Sequence, residues 1–144
     1  NDKIINKNLE ECCKMNKNLE FIIKNGEVTI TKCKDKNVTE VVIPSEIEGY
    51  PVKRISDWAF MGCSKLKVVK IEKGLRTIGY KAFFQCLELT TVEIPNTVIK
   101  ISDLAFGWCP KIKNVDFQTP NKESQIVVTS GLPLHQCVDG NWRV

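Results

Sequence analysis

The dipeptide Ala-Phe recurs at Ala59-Phe60, Ala82-Phe83 and Ala105-Phe106, and a cysteine follows each alanine at the same distance, at Cys63, Cys86 and Cys109. Each step is 23 residues. A period of this length marks a stacked-repeat chain, because one such unit is too small to bury its own apolar face and must share a core with its neighbours. In a stack of this kind function usually resides on a repeated surface and not in a catalytic cleft.

The period extends beyond these positions. Val52, Ile55, Leu66, Val69 and Ile71 are matched one unit on by Leu75, Ile78, Leu89, Val92 and Ile94, and then by Val98, Ile101, Ile112, Val115 and Phe117. The segments Leu66-x-x-Val69-x-Ile71, Leu89-x-x-Val92-x-Ile94 and Ile112-x-x-Val115-x-Phe117 end in strict alternation, which predicts short half-buried strands. From Ile78 to Leu89 the apolar residues fall near helical spacing, which predicts a short helix or 3-10 turn. Strand plus helical turn at 23 residues is the leucine-rich-repeat layout.

The Ala-Phe-x-x-Cys form of the unit resembles the BspA-like leucine-rich-repeat family. Ile94-Pro95, Val98, Ile101, Ala105-Phe106, Cys109, Ile112 and Val115 fill that family's pattern. The longer opening unit, from Ile43-Pro44 to Gly49-Tyr50-Pro51-Val52, is also similar to the way the family's arrays begin. The resemblance covers residues 21–118, with Glu72 and Gln118 in place of proline, and Ser56 and Ser102 in place of the glycine seen at Gly79. The expected fold is an α/β repeat solenoid. It is a short right-handed array with parallel strands on one face and short helical or 3-10 turns on the other.

The expected organisation has three parts. Residues 1–18 form an N-terminal helix or linker, with Ile4, Ile5, Leu9, Cys12 and Cys13 on one helical side. Residues 19–118 form the repeat domain, with repeats at about 43–71, 72–94 and 95–117. Its N-terminal cap is a β-hairpin, because Asn25-Gly26 between Phe21-Ile22-Ile23 and Val28-Thr29-Ile30 is the strongest short hairpin signal. Residues 119–144 form a C-terminal cap or tail, carrying His135, Cys137 and Trp142, or alternatively a variable binding segment.

Composition bounds the chemistry. The chain has 144 residues, 42% of them hydrophobic, enough for one continuous core. No apolar run reaches the length of a membrane-spanning helix, so no membrane span is expected. The start, Asn1-Asp2-Lys3-Ile4-Ile5, lacks the apolar stretch of a signal peptide, which leaves open that a leader was removed. The net charge is +4, and its lysines are interleaved with acids; this reads as a solvated surface, with no nucleic-acid partner. Of the 7 cysteines, Cys63, Cys86 and Cys109 occupy a repeated core position and read as a ladder of buried thiols. Cys12, Cys13, Cys33 and Cys137 lie outside that ladder and leave room for a disulfide. Asn37-Val38-Thr39 is a formal glycosylation sequon.

One histidine, no paired acids and no phosphate-binding glycine loop leave no catalytic constellation, so no catalytic, cofactor-binding or metal-binding residues are assigned and no enzyme is expected. Binding residues follow from strand alternation, which turns the residues between core positions outward. These form the columns Glu40, Val68, Thr91, Asn114 and then Val42, Lys70, Glu93, Asp116; a third column is Pro44, Glu72, Pro95, Gln118. The predicted partner-binding set is Glu40, Val42, Val68, Lys70, Glu72, Thr91, Glu93, Asn114, Asp116 and Gln118. Lys70 beside Glu93 has a second reading as a surface ion pair. Trp58, Tyr80 and Trp108, on the helical-turn side, form a second candidate surface, with packing between turns as the alternative.

The resemblance implies a non-enzymatic module that binds a host or extracellular-matrix protein, placed outside the cell or on its surface. The alternative is a cytoplasmic scaffold or regulator using the same face. The ligand and the oligomeric state are left open.

Overall fold

A computed structural model describes residues 17–118, together with 127–128, 135–136 and 142–143. The described residues open with a hairpin of β1 (Leu19–Lys24) and β2 (Glu27–Cys33). Asn25 and Gly26 both have left-handed φ, 53° and 74°, as the tight turn between right-twisted strands requires. β3 (Glu40–Ile43), β4 (Glu46–Ile47) and β5 (Tyr50–Ile55) follow, with β4 and β5 antiparallel around Glu48-Gly49. Then come β6 (Val68–Ile71), β7 (Thr77–Ile78), β8 (Thr91–Pro95), β9 (Lys100–Ile101) and β10 (Asn114–Gln118).

These strands stack into two sheets, parallel except where β1 pairs antiparallel with β2 and β4 with β5. One has the order β10-β8-β6-β3 and forms the broad strand face. The other runs β1-β2-β5-β7-β9 and ends on β11 (Val127–Val128), which pairs in parallel with Lys100 and Ile101. β12 (His135–Gln136) and β13 (Trp142–Arg143) pair antiparallel. The N-terminal part of the chain before Lys17, with Cys12 and Cys13, and Cys137 in the tail lie outside the described residues.

The core lies between the sheets and is filled by the repeat positions. Val41, Val69 and Val92 bury beneath the strand face; Ile30, Ile55, Ile78 and Ile101 bury beneath the second sheet. Phe60, Phe83 and Phe106 stack between them, with centroids 4.8 Å and 5.1 Å apart and rings 7° and 0° from parallel. Identical residues in register can stack this way because each coil repeats the backbone path of the last.

The turn side differs from expectation. Among the described residues there is no helix there, nor anywhere else. Left-handed residues interrupt each turn twice. The first set is Trp58, Lys81 and Leu104, with φ of 65°, 51° and 54°; the second is Gly62, Gln85 and Trp108, with φ of 75°, 60° and 54°. A left-handed residue cannot propagate a right-handed helix. The backbone donors divide accordingly. The N–H groups of Trp58, Phe60 and Gly62 donate along the stack to the carbonyls of Tyr80, Ala82 and Phe84, at 3.0, 2.7 and 2.8 Å. Those of Met61 and Cys63 close turns onto Trp58 and Phe60, at 3.2 Å each. Consecutive β-turns thus bury Ala, Phe and Cys at the near-helical spacing that suggested a helix.

Gly79 is required by a close approach. A Cβ there would lie 2.6 Å from the backbone nitrogen of Asp57 and 2.6 Å from its Oδ1. The same Oδ1 accepts the Tyr80 N–H at 2.8 Å. Ser56, one coil earlier, instead directs its hydroxyl to the Thr31 carbonyl at 3.3 Å.

Candidate functional site

The strand face presents the two central columns in register. Glu40 stands beside Val68, Thr91 and Asn114, and Val42 beside Lys70, Glu93 and Asp116. Glu40, Lys70 and Asp116 are exposed; Val42, Val68, Thr91 and Glu93 are half-buried. Asn114 and Gln118 hold the backbone register positions opposite Thr91 and Pro95. The outer column is different. Pro44 and Pro95 are buried, because the chain turns inward where the strands end. Glu72 is exposed, but its carboxylate accepts the Ser45 N–H at 3.0 Å and so ties down the opening loop.

Lys70 and Glu93 are neighbours without forming an ion pair. The two ion pairs among the described residues lie elsewhere, Arg54–Glu27 at 3.2 Å and Lys111–Glu88 at 2.9 Å. In the charged row Lys70 and Asp116 are exposed, and Glu93 between them is half-buried. At the N-terminal end of this face, Asn18, Cys33, Val38, Glu40 and Val42 line a hollow of about 310 Å³. It extends the face into a shallow depression of a size that can seat one partner side chain.

The thiols belong to the core. Cys33, Cys63, Cys86 and Cys109 are all free and buried. Cys86 and Cys109 donate to the carbonyls of Phe60 and Phe83 at 3.3 and 3.1 Å, one coil back. Hydrogen bonding from the Cys63 thiol pulls Cys33 down to about 7 against the opposing effect of burial. The same contact, together with burial, pushes Cys63 up. Cys86 is likewise raised by its hydrogen bond with Cys109 and by burial. Cys109 is lowered by that bond, with burial opposing. Among the described residues no three His, Cys, Asp or Glu side chains converge as a metal site.

The turn side carries an aromatic cluster that includes the three residues noted in the sequence. Trp58 meets Tyr80 edge-on, with centroids 5.4 Å apart and planes at 78°, and Trp108 lies 6.0 Å from Phe84. Sequence reasoning missed Lys81, whose ammonium sits 4.7–5.2 Å from the rings of Phe84, Trp58 and Tyr80. The available signal was its repeat position, the residue before Ala82, where the previous unit has Trp58.

A stack of parallel coils with an open, solvated strand face defines a repeat protein of the recognition class, which is typically non-enzymatic and generally engages other proteins. The chain belongs to the BspA type leucine rich repeat family, whose profile matches residues 26–128 in 6 copies. It is similar to a leucine rich repeat protein of T. pallidum: identity 31%, TM-score 0.66, covering 70% of this chain and 48% of that one. A leucine rich cell surface protein of Faecalibacterium prausnitzii gives 29% identity and a TM-score of 0.63 over 69% of this chain and 30% of that one. A leucine-rich repeat protein from Bacteroides capillosus gives 25% and 0.63, covering 77% and 92%. The chain thus spans half or less of the length of the first two. A search of curated proteins gives no match. No helix among the described residues is long and apolar enough to cross a membrane.

Proposed function

We propose that this chain is a protein-binding module, displayed on a cell surface or secreted, whose strand face holds a host or extracellular-matrix protein. The observation that carries this reading is the row Lys70, Glu93, Asp116. It is in register across three strands, and Lys70 and Glu93 are not neutralised by pairing with each other. Charges left open on a rigid surface select a partner through complementary charge and repel mismatched ones. The description of the Faecalibacterium prausnitzii relative as a cell surface protein supports the placement. Reversing all three charges tests the reading: loss of the partner with an unchanged unfolding midpoint supports it, and retained binding refutes it.

The four free buried thiols favour a second reading, an intracellular scaffold using the same face, since unpaired cysteines are commonest in reducing compartments. A secretory leader encoded upstream of Asn1 would decide against it.

A further inference from the structure

We propose that the open edge of β3 pairs with an extended peptide strand of a partner protein, one in which aliphatic and basic residues alternate. The two sheets end unevenly at the N-terminal side of the stack. The larger sheet continues past β5 with β2 and β1, whereas the strand face stops at β3. A slot for one more strand is left beside β3, across from β2.

The ladder between β3 and β6 is regular from Glu40 to Ile43. The Thr39 carbonyl accepts the N–H groups of Lys67 and Val68 at 2.8 and 3.3 Å, and the Ile43 carbonyl accepts that of Glu72 at 2.9 Å. Successive residues of a strand turn their backbone groups to opposite edges. Thr39, Val41 and Ile43 therefore face β6, and Glu40 and Val42 face away. β3 is the last strand of its sheet, and among the described residues nothing pairs with the N–H or C=O of Glu40 or Val42. Such an edge is a template for another strand, and proteins commonly blunt it with a proline, a bulge or a lysine. β3, Glu-Val-Val-Ile, has none of these.

The surroundings select the occupant. A further coil stacked on β3 would also need the place beside β5, which β2 fills by pairing with Val52, Arg54 and Ile55. The hairpin thus blocks the repeat array of a second copy and admits a lone strand. Two donors and two acceptors at strand spacing are complemented by another extended backbone. The side chains of that strand alternate between two environments. On the inner side is the hollow of about 310 Å³, where Leu19, Cys33, Val38 and Val41 offer apolar surface to an aliphatic residue. On the outer side is Glu40, exposed and in neither ion pair among the described residues. A lysine or arginine beside it forms a favourable cross-strand pair. This contact is made by backbone at the sheet edge and does not rest on the side-chain row Lys70, Glu93, Asp116.

Fluorescence anisotropy with the full chain and a labelled Lys-Val-Lys-Val-Lys-Val-Lys peptide tests the proposal. The chain's net charge of +4 opposes nonspecific attraction to this peptide. N-methylation at the lysines and N-methylation at the valines block opposite edges of the peptide. One methylated form should bind like the parent, and the other about tenfold or more weakly. Val42→Pro deletes an N–H that the fold leaves unused, and should weaken binding about fivefold or more at an unchanged unfolding midpoint. Glu40→Lys should shift preference toward the Glu-Val counterpart of the peptide by about threefold or more. The comparison of methylated forms needs no protein variant, so it reads strand pairing even where Val42→Pro fails to fold. Lys70→Glu/Glu93→Lys/Asp116→Lys should preserve the difference between the two methylated forms, which separates this edge from the strand face. Equal binding of the two methylated forms would overturn the proposal. So would no binding by the full chain, the result expected if its own residues 1–16 or a second copy covers the edge.

Discussion

Phe60 and Phe83 lie face to face, with centroids 4.8 Å apart and planes 7° from parallel, and Phe106 continues the stack. Phe83 is the middle ring, covered on both sides and fully buried. Phe83→Ala should cost about 3–5 kcal/mol, because two aromatic contacts are lost and a cavity opens in the centre of the stack. Urea unfolding measures this. A loss under about 1 kcal/mol would mean that the stack is not the core's keystone.

Gly79 and Asp57 make the second test. Gly79→Ala places a methyl 2.6 Å from the Asp57 nitrogen, so the coils must move apart. Destabilisation of about 1–3 kcal/mol is expected. Because backbone as well as carboxylate is in the way, Asp57→Ala should fail to restore stability in the double variant. Ser102→Gly, at the equivalent position one coil later, should cost no more than about 1 kcal/mol.

The repeat, the register of both columns and the buried identity of Ala, Phe and Cys were legible in the sequence, since each follows from period and alternation alone. The hairpin was legible in Asn25-Gly26. The turns were not. Ala59, Phe60 and Cys63 have helix-like spacing, and only the φ values of Trp58 and Gly62 reveal a different path. Left-handed tryptophan, lysine, leucine and glutamine carry no composition signal of the kind glycine gives. The burial of Pro44 and Pro95 was missed for a related reason: alternation fails at the edges of a strand, just past β3 for Pro44 and at the last residue of β8 for Pro95. Lys81 escaped because its three aromatic partners come from two coils.

The thiol pair gives a pH-dependent signature. Cys33 is lowered to about 7 by hydrogen bonding with Cys63, and burial acts in the opposite direction. Cys63→Ala removes the largest lowering contact and leaves burial opposed by the Asp35 backbone hydrogen bond and the Lys36 charge, so the Cys33 midpoint should rise from about 7. Ultraviolet thiolate absorbance against pH, in the wild type and the variant, reads this directly. A midpoint unmoved by Cys63→Ala would show that the two thiols do not interact.

Trp108 is 71% exposed at φ 54°. Trp108→Gly relieves a left-handed conformation that costs an L-residue roughly 1–2 kcal/mol, and gives up little burial. Thermal unfolding should show the variant as stable as the wild type or more so. Clear destabilisation would mean that the Phe84 contact, 6.0 Å between centroids, outweighs the backbone strain.

The central claim is that the strand face recognises a protein through Lys70, Glu93 and Asp116. The most direct measurement captures partners from host-cell and extracellular-matrix extracts on the wild-type chain, then determines the affinity of the captured protein for Lys70→Glu/Glu93→Lys/Asp116→Lys. The account predicts a loss of about tenfold or more with an unchanged unfolding curve. Equal affinity for the wild type and the folded triple variant would contradict it.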